Sequence, residues 1–91
     1  MTRKELLEKA MQATTQRATT HGKPENVFDR IAGLWSAYLD KELTATDVAL
    51  LMTLFKVARA QGNPANNDTW VDIAGYAACG AELGGSDEQQ C

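Results

Sequence analysis

Between Val48 and Ala58 the chain has only two polar residues, Thr53 and Lys56. The longest uninterrupted apolar run there, Val48–Met52, is far below the ~20 residues a membrane-spanning helix needs. Its boundaries are those of a helix. Thr44 and Asp47 have the S/T-x-x-D/E form of a capping box, and "QGNPANN" stops the pattern after about Ala60. A helix that is apolar nearly all round is buried nearly all round. A chain of 91 residues makes one domain with a modest core. Its own remaining segments are too few to cover such a helix. The pattern therefore predicts a core completed by homo-oligomerisation, as a dimer or larger.

Three more helices are legible. The first spans roughly Arg3 to Ala18, with Leu6, Leu7, Ala10 and Met11 on one face and Glu5, Glu8, Lys9 and Gln12 on the other. "TTHGKPEN", which contains His21, reads as a linker. The second helix starts at Pro24 or Glu25, where proline and an acid suit a first turn. It ends at Leu39, with Phe28, Ile31, Trp35 and Leu39 or Tyr38 as its stripe. The last helix starts at Asp68, a natural N-cap, and runs to about Leu83. Its many Ala and Gly residues permit close helix–helix approach, although each interior glycine costs roughly 1 kcal/mol against alanine. The expected fold is all-α, a compact bundle of about four helices over residues 1–83, with residues 84–91 a disordered polar tail.

Charge and motifs narrow the function. A net charge of −3 offers no polybasic surface for nucleic acid or membrane. The charged, amphipathic N-terminus does not read as a signal peptide, so the expected location is cytoplasmic. Cys79 and Cys91 form no CxxC pair, and His21 is the only histidine, so neither a disulfide framework nor a zinc site is expected. No phosphate-binding loop, dinucleotide fingerprint, HExxH or GxSxG is present. Accordingly, no catalytic residue, metal ligand or cofactor is assigned.

The polar residues of the last two helices suggest a cleft. Lys56 and Arg59 are three apart and share a face, as do Asp68, Asp72 and Tyr76 at steps of four. One reading is structural: Asp68 caps its helix, and Asp72 pairs with Lys56 or Arg59. The other is a ligand site. Lys56 and Arg59 would hold phosphate, Asp68 and Asp72 would take ribose hydroxyls, Trp70 or Tyr76 would pack a base, and His21 would touch the ligand. Glu5 and Glu8 have the ExxE spacing of helical Mg²⁺-dependent pyrophosphohydrolases, but no ExxD follows.

A longer pattern carries a resemblance. Phe28-x-x-Ile31-Ala32, Leu34-Trp35-Ser36-Ala37-Tyr38-Leu39, Asp47-Val48-Ala49, Lys56-x-x-Arg59 and Asp68-x-Trp70-Val71-Asp72-Ile73-Ala74-Gly75-Tyr76-Ala77 occur in order. Over residues 21–83 the chain resembles a family of small proteins of tailed phages and prophages with no assigned function. Its second half is also similar to helical domains of phage nucleotide metabolism and modification. The resemblance implies phage origin and a nucleotide-like ligand. The expected function is non-enzymatic nucleotide binding, for example a sponge for a nucleotide immune signal such as a cyclic nucleotide or an ADP-ribose derivative. The rivals are a Mg²⁺-dependent nucleotide pyrophosphohydrolase-like enzyme, with Asp68, Asp72, Glu5 and Glu8 on the metal, and a structural or partner-binding helical module.

Overall fold

The computed structural model describes the backbone of residues 1–88 and the side chains of residues 1–85. It contains four helices: α1 (Arg3–His21), α2 (Pro24–Leu39), α3 (Ala45–Gly62) and α4 (Asn67–Glu88).

Local chemistry sets the boundaries. Thr2 caps α1, its hydroxyl accepting from the Glu5 amide at 3.1 Å. The helix continues three residues beyond Ala18, because Thr19 and Thr20 donate their hydroxyls back to the Gln16 carbonyl. Such back-bonding accommodates β-branched hydroxyl residues inside a helix. His21 is thus the last residue of α1 and not part of a linker. Gly22 follows at φ 93°, a left-handed conformation that glycine adopts without strain. Asp40 ends α2 at φ 53°, and the Ser36 hydroxyl accepts from the Leu43 amide at 2.8 Å to hold the turn. The expected capping box of α3 is present in both halves. Thr44 accepts from the Asp47 amide, and Asp47 accepts from the Thr44 amide. At α4 the cap is Asn66, whose side-chain oxygen accepts from the Asp68 amide at 3.0 Å. Asp68 instead lies in the first helical turn, where its charge favours the positive end of the dipole. The helix runs to Glu88, so residues 84–88 of the expected tail are helical; residues 89–91 lie outside the described residues.

The chain winds so that α4 is flanked by α3 and α1, while α2 packs on α3. Helices α3 and α4 run antiparallel at close range. A Cβ on Gly80 would sit 3.3 Å from the Ala49 Cβ, and one on Gly84 3.9 Å from Thr46. The small residues of α4 therefore do bring a neighbour in. On the other flank Thr14 of α1 lies 3.6 Å from the Cβ position of Gly75. The core is Phe28, Ala32, Val48 and Ala49, with Trp35, Met52, Tyr76, Cys79 and Leu83 packed around it. Among the described residues, Val48 is the largest side chain buried completely.

Within a single chain α3 is not buried all round. Val48, Ala49 and Ala60 are buried, whereas Leu50, Leu51, Leu54, Phe55 and Val57 are exposed. The reason is geometric: α2 and α4 cover one side of the helix, and among the described residues no segment covers the other. Met11 and Leu7 of α1 are likewise exposed, since that helix packs mainly on α4. Among the described residues no helix is long and apolar enough to cross a membrane.

The capping box gives a direct check on this account. Thr44→Ala should cost about 1 kcal/mol and lower the midpoint of thermal unfolding by roughly 4–8 °C, as measured by circular dichroism.

Candidate functional site

Asp72 sits on the face of α4 that looks towards both neighbours. Its Oδ1 accepts from the Arg17 guanidinium of α1 at 2.9 Å, and its Oδ2 accepts from the Lys56 ammonium of α3 at 3.0 Å. The side chains of Asp72 and Lys56 are 16% and 19% exposed, so little water screens that pair; Arg17 is half exposed. Burial alone would push the Asp72 carboxyl upward. The hydrogen bonds from Lys56 and Arg17 and their positive charges outweigh it and hold the carboxyl below its ordinary value.

Beside this node lies a cavity of about 220 Å³ at the junction of the four helices. Phe28, Ile31 and Met52 form its apolar wall, and Gly75 opens room that a larger residue would fill. Tyr76 closes one side, its ring 6.3 Å from Phe28 in a tilted arrangement. The polar side chains on the lining come from α1 and α4: Thr14, Arg17, His21, Tyr76 and the Cys79 thiol. Burial raises the Cys79 thiol above its ordinary range, with the Glu82 charge adding to this and Arg17 opposing it. The group is accordingly a neutral thiol at pH 7 and a poor nucleophile.

The structure divides the sequence-expected residues into three groups. Lys56 and Asp72 meet, as the structural reading of the polar cleft has it. Tyr76 and His21 line the same cavity. Arg59, Asp68 and Trp70 go elsewhere. The Arg59 guanidinium lies 5.0 Å from the centroid of the Phe55 ring, a cation–π arrangement on the outer side of α3. Asp68 is exposed in the first turn of α4. Trp70 donates its indole N–H to the Pro64 carbonyl at 2.8 Å, which fastens the α3–α4 loop to α4. The spacing of Asp68 and Asp72 is helical, but the helix turns only Asp72 toward the cations. Sequence reasoning missed Arg17, which lies 55 positions from Asp72. Its one visible signal is that it is a cation on the later, otherwise uncharged turns of α1. Among the described residues no three His, Cys, Asp or Glu side chains gather where a metal ion could be held.

A family model described as a domain of unknown function, DUF6378, matches residues 5–84. The chain belongs to the DUF6378 family. The match reaches back into α1, beyond the 21–83 region of the resemblance, so the helix that supplies Arg17 is part of the domain. Two curated relatives are the Gene 55 proteins of Mycobacterium phages D29 and L5. The first is 45% identical over 64 residues, covering 70% of this chain and 42% of the relative. The second is 49% identical over 63 residues, covering 68% of this chain and 40% of the relative. This DUF6378 chain thus spans about two-fifths of the length of the curated relatives it matches. No solved structure matches it.

The ion-paired carboxylate makes a pH-dependent prediction for this DUF6378 domain. A depressed carboxyl pKa stabilises the fold fully above the unfolded value, near 3.9, and that stabilisation is lost as pH falls through the lower folded value. Asp72→Asn should therefore cost about 1–3 kcal/mol at pH 7. The gap to the wild type should close as pH drops below 4. Urea unfolding at pH 7, 5 and 3 measures both.

Proposed function

We propose that this chain is a phage-derived protein that binds a nucleotide-like ligand and returns it unchanged. The observation that carries the reading is the apolar cavity with Arg17 and His21 among its lining residues. A volume of about 220 Å³ is below the roughly 300–1,000 Å³ of whole-ligand pockets. It suits a single planar ring lying against Tyr76, with the charged part of the ligand left at the mouth. The bond to Asp72 uses one N–H of Arg17, which leaves the rest of the guanidinium fork for an anionic group. Lys56 and Asp72 then act indirectly: Asp72 positions Arg17, and Lys56 balances Asp72. In this reading Arg59, Asp68 and Trp70 lie off the ligand. The purpose proposed with it is sequestration of a nucleotide immune signal in the host cytoplasm; the phage relatives support the phage setting alone.

The protein is, in this proposal, a homo-oligomer. The support is the uncovered apolar side of α3. Hydrolysis by a Mg²⁺-dependent site has less support, because both Asp72 oxygens already face cations. One observation favours a second reading, a helical module that acts through a partner: the Arg17–Asp72–Lys56 node locks three helices whether or not a ligand enters.

Two probes separate these readings. Purified protein is incubated with ADP-ribose or a cyclic nucleotide and Mg²⁺, freed of unbound probe, and heat-denatured. The supernatant is then analysed by chromatography. Intact probe recovered in proportion to protein is expected, and a cleaved product would overturn the proposal. Arg17→Lys keeps a cation for Asp72 but loses the planar fork. It should weaken binding roughly tenfold or more while leaving thermal stability nearly unchanged. Retention of neither probe by a folded wild type would favour the partner-binding module.

A further inference from the structure

The geometry points to the solvent side of α3 as a two-fold interface with a second copy of this chain, the two α3 helices antiparallel and Leu54 at the axis. This rests on the oligomer proposed above and gives it a surface and a register.

The first observation is exposure. Leu50, Leu51, Leu54, Phe55 and Val57 are 59%, 41%, 63%, 49% and 38% exposed, an apolar face on one helix of the kind that marks a protein interface. The second is spacing. Asp47, Leu50, Leu54, Val57 and Gln61 follow one another at steps of 3, 4, 3 and 4, the repeat of a helix–helix seam. Leu51 and Ala58 flank the seam on one side. The side chains that α3 packs inside its own chain are others, Val48, Ala49, Met52 and Ala60. The seam is free of charge between Asp47 and Gln61, and Leu50 and Leu54 are 59% and 63% exposed.

The third observation fixes direction. Parallel helices would set Asp47 against Asp47, a like-charge contact. A two-fold axis at Leu54 instead brings Asp47 of one copy beside Gln61 of the other. The side-chain amide of Gln61 can donate to a carboxylate. The same operation sets Leu50 against Ala58 and Leu51 against Val57, large against small, which lets the helices approach closely. Antiparallel helices also oppose their dipoles favourably. A C2 contact of this kind closes on itself and needs no third copy. A second copy is therefore the occupant that matches the seam in polarity and symmetry.

The test uses the full chain carrying Cys91→Ser, so that the terminal thiol cannot cross-link. Sedimentation velocity should give the mass of a dimer. Leu54→Glu, at an exposed position, should halve that mass while helical content by circular dichroism stays unchanged. Leu54→Cys should form a disulfide-linked dimer under mild oxidation. Leu34→Cys on α2, at an equally exposed site (66%), should not. A wild type that sediments as a monomer at 100-fold varied concentrations would overturn both the oligomer and this interface. A wild-type oligomer that Leu54→Glu leaves intact, or that cross-links at Leu34 and not at Leu54, would overturn the interface and spare the oligomer. If Leu54→Glu loses its helical signal, the pair of cysteine variants decides.

Discussion

A single carboxylate ties this fold together. Asp72 receives Lys56 from α3 and Arg17 from α1, so one side chain fastens the two neighbours of α4. Removing it strands a lysine ammonium that is four-fifths buried, a position that carries a desolvation cost without its partner. The rest of the packing depends on the same approach. The glycines of α4 let Ala49 and Thr14 come to van der Waals distance, and only at that range can the short Asp72 side chain span to both cations. The small residues and the ion pairs are therefore one device: the first sets the helix separation, and the second uses it.

Much of the fold is legible because its signals are local. The capping box at Thr44 and Asp47, the proline that opens α2 and the glycine after α1 each act within a few residues. Their physics does not require the rest of the chain. The errors occur where two local signals compete. Asn66 and Asp68 are both good caps, and the one placed just before the first helical turn takes the role. The threonines near the end of α1 lower helix propensity, yet their hydroxyls satisfy the Gln16 carbonyl and prolong the helix.

The site was legible only in part, and for a different reason. Lys56 and Asp72 lie on adjacent antiparallel helices, so a short loop predicts their meeting. Arg17 reaches the same carboxylate across 55 positions, and no periodicity within α1 announces a partner that distant. Arg59 shows the converse. Its three-residue step from Lys56 gives the two a shared face, yet Lys56 pairs with Asp72 while the Arg59 guanidinium lies 5.0 Å from the Phe55 ring centroid. Helical spacing identifies side chains that share a face; it does not say which neighbour that face will meet.

The position of α1 has a kinetic consequence. Helices α2, α3 and α4 are joined by short turns and pack on their sequence neighbours, so each contact closes a small loop. Docking α1 onto α4 closes a far longer one and carries the larger entropy cost. Contacts of high sequence separation slow folding, and an element with few buried apolar side chains, as α1 is with Ala10 alone buried, belongs to the low-stability end of a fold. Because Thr14, Arg17, Ala18 and His21 of α1 line the cavity, the cavity is complete only where α1 is docked on the other three helices.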